Sequence, residues 1–339
     1  MMPLLLLLVT LAGRPTPPPA PQAQCGYLVS PQGERISLSA LFGEPLQAVQ
    51  WAPCPGASHR QAFLGRRSQD PPVFVYGLVE NARLVARYEL TPAPDEVRPF
   101  VTCLGNLWLL VRPSIGELTG YTPEGTLRFR RRLPGTDWND EPTVQVISLG
   151  LQWAVAWQQN AWIHLAVYDE HGTLQAHDSL AGFLAQMVAW QERPLILRYT
   201  VQEERIQDFA LVDPSGRVWL QSPAPLRLWP LSARTLLMNQ GNRWFLWRGP
   251  GDTLRLPLQG RYRVFVDPSG GRAVLLSGTW HYEGPDQRAV FQLRRVFWLT
   301  EDGILHHRDL SAPLASTLPV EFQGQTFVVK SCSHFWRLP

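Results

Sequence analysis

Short apolar runs broken by polar turns, rather than apolar residues at helical spacing, fill this chain. One unit recurs: two or three apolar residues, a short polar segment usually ending in Gly, then another apolar residue. That is the pattern of a β-hairpin. The clearest copies are Tyr27-Leu28-Val29 before Gly33 and Ile36, Tyr121 before Gly125 and Leu127, and Val167-Tyr168 before Gly172 and Leu174. Leu211-Val212 before Gly216 and Val218, and Phe297-Trp298-Leu299 before Gly303 and Ile304, follow the same rule. Two further copies use Asn81 (after Leu78-Val79, before Leu84) and Asp252 (after Phe245-Leu246-Trp247, before Leu254). Asn and Asp replace Gly there because both tolerate the left-handed backbone conformation.

The turn markers fall at 33, 81, 125, 172, 216, 252 and 303, a mean spacing of about 45 residues. Between them the chain supplies further short strands, as in VQVISLG, QWAVAWQQ, AWIHLAVYDE and TLQAHDSL between Val144 and Leu180. Helical periodicity is nearly absent. The one arguable helix, Asp178 to Gln191, contains Gly182 and no capping signature, so it reads as connector plus strand.

Seven such units resemble, at superfamily level, the broad class of β-propeller repeat proteins that includes PQQ-like and YVTN-like propellers, over about residues 25 to 339. The resemblance rests on the repeat. The Trp-Asp ending of WD40 blades and the A-x-D-x-x-T-G-x-x-x-W pattern of quinoproteins are both missing, so no family's site residues carry over. It implies an all-β fold of about seven four-stranded blades. The expected closure has TFVVKSC and SHFWRLP as inner strands of the blade begun by GYLVSPQG and ERISLSAL, removing exposed edges. Two β-sandwich domains with accidental repeats are the architectural alternative.

Composition adds location more than chemistry. The chain is 45% hydrophobic and 17% charged, which suits a packed core, and its 31 basic and 28 acidic residues are intermixed, which gives no support for a nucleic-acid partner. The run Arg128, Arg130, Arg131 and Arg132 alternates with Phe129 like an exposed strand leaving a turn, and Lys330 is the sole lysine. Residues 1–13 have the apolar length of a signal peptide and are too short to span a bilayer, although a basic n-region is missing. Residues 14–24 (RPTPPPAPQAQ) read as an extended Pro-rich linker, and 25–339 as the folded domain. A secreted or periplasmic, cell-envelope location follows, with no membrane span after cleavage.

Four cysteines, Cys25, Cys54, Cys103 and Cys332, lack C-x-x-C pairing and, in an exported chain, suggest two disulfides. Their count allows three connectivities. Aligned on the repeat, Cys54 and Cys103 each sit near the end of an inner strand of successive blades. This favours Cys54 with Cys103 and leaves Cys25 with Cys332 as a staple across the closure.

In propellers the marker hairpins lie on one face, while inter-blade and middle-strand loops lie on the other, where ligands usually meet the ring. The resemblance thus directs attention to residues 135–142, 202–205 and 279–287. The candidate binding residues there are Trp138, Asp140, Glu141, Trp280, His281, Tyr282 and Glu283. An aromatic ring beside carboxylates suits a sugar. Adjacent His306 and His307 point to opposite strand faces and cannot readily share a metal, and Asp169, Asp213 and Asp267 belong to turn sequences. No nucleophile elbow, phosphate loop or zinc motif occurs, and no cofactor or metal is expected. The resulting expectation is a non-enzymatic scaffold or recognition module for an envelope protein or glycan. The alternative is an extracytoplasmic carbohydrate-active enzyme, hydrolase or lyase, using Asp140, Glu141 or Glu283.

Overall fold

The computed structural model describes residues 27–29, 32, 34–55, 57–92, 99–133, 143–203, 205–283, 288–314, 320–323, 325–331 and 335–339. The expected signal peptide, the Pro-rich linker, Cys25, Gly33, Trp138, Asp140, Glu141 and Cys332 lie outside the described residues.

Six four-stranded antiparallel sheets follow one another along the chain, each built from consecutive strands. Blade 1 runs from Gln47–Cys54 to Arg83–Leu90, blade 2 from Phe100–Leu104 to Leu127–Arg132, and blade 3 from Val144–Leu149 to Leu174–Ala181. Blades 4, 5 and 6 begin at Phe183–Trp190, Leu226–Ser232 and Arg263–Val266 and end at Val218–Ser222, Asp252–Gln259 and Leu305–Leu314. The seventh unit joins both ends of the chain. A three-stranded sheet of Val320–Gln323, Thr326–Lys330 and Phe335–Leu338 lies beside a hairpin of Tyr27–Val29 and Arg35–Ser37. The molecule is a seven-bladed β-propeller.

Each blade is apolar on both faces because each is sandwiched between neighbours. Separate buried clusters fill the interfaces. Cys54, Leu78, Trp108 and Tyr121 join blades 1 and 2, and Leu109, Phe129, Trp153 and Tyr168 join blades 2 and 3. Further clusters continue around to blades 6 and 7, where Val274, Phe291, Val320 and Phe327 meet. A series of pairwise interfaces is the energetic form of a repeat protein. It replaces the two-sandwich alternative, which would need two separate cores.

Side chains reach from blade to blade in a repeated manner. Gln145 Nε2 donates to Ala185 O (3.2 Å), and Gln145 Oε1 accepts from Met187 N (2.6 Å). One repeat later, Gln186 does the same to the backbone of Leu228. On the outer strands, Arg131 Nε donates to Gly172 O of the next marker turn (2.8 Å). That turn needs glycine twice over. Its φ is 74°, and a Cβ on Gly172 would come within 2.8 Å of the Phe129 ring in the preceding blade.

Cys54 and Cys103 form a disulfide between the inner strands of blades 1 and 2. Trp108, Trp153, Trp157, Trp244 and Trp247 are among the largest fully buried side chains. Phe129 is buried between exposed arginines, as its alternation implies. His306 stacks on Trp298 and His307 tilts against Phe297, on opposite faces of an outer strand.

Three details differ from expectation. The innermost strand of the closing unit is Val320–Gln323, with TFVVK second and FWRL third. VEFQ is short and enclosed on both sides, so Val320, Glu321 and Phe322 are all buried and no alternation marks them as a strand. The segment ERISLSAL is strand only over Arg35–Ser37 and then turns into a helix, Leu38–Phe42, which ends on Gly43 at φ 73° and buries Phe42 against blade 1. Finally, Asp252 opens a strand, and the left-handed turn residue before it is Gly251, φ 80°, whereas Asn81 is left-handed as expected.

Candidate functional site

Antiparallel order places two kinds of hairpin on opposite faces of the ring. The first-to-second and third-to-fourth strand turns, which include the markers, share one face. The second-to-third strand hairpins and the links between blades share the other, the loop face. Exposed large aromatic side chains keep to the loop face, where the aliphatic Val201 is exposed as well. On the marker face the exposed large side chains are aliphatic: Leu127, Leu151, Leu174, Val218, Leu254 and Ile304. The exposed aromatics among the described residues, Trp162 (52%), Trp280 (43%) and Tyr282 (66%), all stand on second-to-third strand hairpins of the loop face.

Two devices hold these rings out. In blade 3, the side chain of Gln158 braces the turn that carries Trp162, with Nε2 donating to Asn160 O (2.6 Å) and Oε1 accepting from Leu184 N (2.6 Å). In blade 6, Arg272–Glu283 and Arg288–Thr300 are the longest strands in the molecule and pair as far as Glu283 with Arg288. The inner strand Arg263–Val266 stops opposite Leu276. The far end of the hairpin therefore projects past the inner strand as an arm, which the fourth strand flanks as far as Phe291, opposite Trp280, and which is two-stranded beyond that. Trp280 and Tyr282 share one face of it, while His281 points the other way and hydrogen-bonds Thr279 Oγ1 (2.9 Å).

The structure thus brings Trp280, His281 and Tyr282 onto one arm. Glu283 ends the same strand, and its side chain lies outside the described residues. Trp138, Asp140 and Glu141 lie outside them as well, so the arrangement of candidate carboxylates is not part of the described site. Asp169 and Asp213 prove to be turn braces. Asp169 Oδ1 accepts from His171 N and Thr173 N (both 2.8 Å), and Asp213 accepts from Ser215 Oγ (2.6 Å) and Trp219 Nε1 (3.1 Å). Their pKa values are lowered, that of Asp169 through those backbone donors and that of Asp213 through hydrogen bonds that outweigh its burial.

Three features escaped the sequence reading. Trp162 gave no signal beyond an aromatic at a strand start. Beneath the arm, Arg263 heads the inner strand of blade 6 among the rings of Phe265, Trp280 and Phe291. In the channel, a cavity of about 210 Å³ opens between the inner parts of blades 6, 7 and 1, lined by Val264, Phe265, Val320, Phe322, Gln61 and Glu321. Glu321 is buried and ion-paired with the equally buried Lys330. The one hint in the sequence was that Lys330 is its only lysine.

No family model and no curated protein matches the chain. Among solved structures it is similar to the β-propeller domain of the Trilobed protease from Pyrococcus furiosus, which has an open velcro topology. The TM-score is 0.53 and the identity 7%, over 85% of this chain and 95% of that one. It is also similar to BamB from Moraxella catarrhalis (TM-score 0.40, 13% identity, 83% of this chain and 81% of that one). Streptogramin B lyase matches at a TM-score of 0.42 and 12% identity, over 86% of this chain and 97% of that one. These likenesses are of fold.

Proposed function

We propose that this protein is an exported, non-enzymatic recognition propeller that binds an envelope protein or glycan through its loop face. The observation that carries the reading is the segregation of exposed rings. Trp162, Trp280 and Tyr282 stand on the loop face, two of them on an arm that rises beyond the inner strand, while the marker face exposes aliphatic residues. Exposed Trp and Tyr contribute large contact areas at small entropic cost, and rigid blades supply the frame.

Export is supported by the Cys54–Cys103 disulfide, which suits an oxidising compartment, and by the apolar run at residues 1–13. No described helix is long and apolar enough to cross a membrane. The channel cavity does not favour the hydrolase or lyase alternative, because the carboxylate among its lining residues, Glu321, is held by Lys330. The test is affinity capture from an envelope extract with the full chain, comparing the natural protein with a Trp280→Ala/Tyr282→Ala variant. Loss of the captured partner in the variant is expected. Equal capture by both removes the arm from the account.

A further inference from the structure

Arg263, half-buried at the head of its strand, stands apart from the buried charges. Asp267 is matched by Arg272, and Glu321 by Lys330. Among the described residues Arg263 has no carboxylate partner and makes no hydrogen bond, and its Nη1 is fully buried without an acceptor. What surrounds it is aromatic. Its guanidinium carbon lies 5.5 Å from the centroid of Phe265, 5.3 Å from that of Trp280 and 5.4 Å from that of Phe291. Three ring faces offset part of the cost of desolvating the cation and leave its donors unused. Burial alone draws its pKa down to about 10, so it remains charged at neutral pH.

The arm is shaped to hold Trp280 over Arg263. Gly278 lies beside a bulge at Arg294 in the second arm strand, and a Cβ there would meet Gln292 O at 2.2 Å and the Phe291 ring at 2.9 Å. Phe291 therefore packs edge-on against Trp280 (centroids 5.3 Å and planes 63° apart), and Trp280 covers Arg263 yet remains 43% exposed. Tyr282 follows on the same strand face, about 7 Å further out.

Resting on the loop-face reading above, the geometry points to Arg263 as an anion subsite that takes the carboxylate of an acidic sugar, with the sugar rings lying against Trp280 and Tyr282. Guanidinium is planar and matches a carboxylate through two parallel N–H donors. The neighbouring exposed groups are flat ring faces, which suit the C–H faces of a pyranose. A neutral glycan would leave the accessible side of the guanidinium without a charged acceptor, so selectivity for acidic over neutral sugar follows from the charge-assisted hydrogen bonds that only the acid makes.

The probe is trigalacturonate against its methyl ester, titrated calorimetrically into the full chain. The acid should bind at least about tenfold tighter than the ester, the ratio that one charge-assisted hydrogen bond supports. Arg263→Gln should abolish that preference, and Trp280→Ala should weaken both ligands. Arg263→Met, which replaces the unpaired charge with an apolar chain, should melt no lower than the natural protein and should bind no acid, which keeps the test independent of folding.

Equal binding of acid and ester, binding of neither, or unchanged preference in Arg263→Gln each overturns the subsite. Arg263-dependent binding of polyglutamate in place of the sugar overturns the glycan assignment. If Arg263→Gln still captures the envelope partner while Trp280→Ala/Tyr282→Ala does not, the subsite fails and the loop-face reading stands. If both variants capture normally, the loop-face reading itself fails.

Discussion

Trp153 and Tyr168 stack with ring centroids 4.4 Å apart and planes 15° apart, and Trp108 and Tyr121 repeat both values one blade earlier. In each pair the indole N–H donates to the carbonyl following or beside the marker strand, Trp153 to Asp169 O (2.8 Å) and Trp108 to Thr122 O (2.9 Å). A second-strand Trp thus ties the third strand to its turn. Replacing Trp153 by Ala should cost about 3–5 kcal/mol, whereas Trp153→Phe, which keeps a ring and loses the donor, should cost markedly less. Urea unfolding curves of the two variants measure the difference.

The glycines of the marker turns separate strain from collision. Gly216 has φ 84° with nothing within 4 Å of an added Cβ, whereas Gly172 has φ 74° and the Phe129 ring at 2.8 Å. Gly216→Ala should cost about 1 kcal/mol for the left-handed backbone. Gly172→Ala should cost at least about 1 kcal/mol more, because Phe129 must move in a filled interface. Equal losses in equilibrium unfolding would show that Phe129 yields freely.

The Cys54–Cys103 bond closes a loop with a sequence separation of 49. Its loss in a Cys54→Ser/Cys103→Ser variant should lower stability by about 2–4 kcal/mol. A non-reducing peptide map should find the two cysteines joined.

Glu321 and Lys330 are a buried pair beside the channel cavity. Lys330→Met alone leaves a carboxylate buried without its partner and should cost about 3–5 kcal/mol, while adding Glu321→Leu should restore most of the loss. A double-mutant cycle read by thermal melting shows whether the pair stabilises or merely neutralises itself.

His164 gives the fold an acid-sensitive element. It packs with Trp157 and His177 in a trio of mutually contacting rings, and Ser179 Oγ and its Nδ1 are hydrogen-bonded (2.9 Å). Burial first, and then the charge of His177, lower its pKa below the usual 6.5. The folded state is therefore the weaker base. Stability from this site is complete above about pH 6.5 and is lost as the pH falls below it. His164→Gln should flatten the fall in melting temperature between about pH 7 and pH 5.

Much of this fold was legible because its turns are chemical. Gly125, Gly172, Gly216 and Gly303 mark third-to-fourth strand turns, and Cys54 and Cys103 occupy matching places because inner strands repeat. The closing strand was not legible, since Val320, Glu321 and Phe322 are enclosed on both faces and show no alternation. The short helix at Leu38–Phe42 was hidden because its apolar residues also fit a strand. At the candidate site, Trp280 and Tyr282 were visible as aromatics in a polar loop. Arg263 was not, because an arginine at the head of RVFV reads as a solvated strand end until the second and third strands of its blade place Trp280 and Phe291 over it.

The most direct test of loop-face recognition is hydroxyl-radical footprinting of the full chain with and without envelope extract, read by peptide mass spectrometry. The account predicts protection of Trp162, Trp280 and Tyr282, with the marker-face residues Leu151 and Ile304 labelled equally in both. Protection of Leu151 and Ile304 with the three aromatic residues unchanged would contradict it.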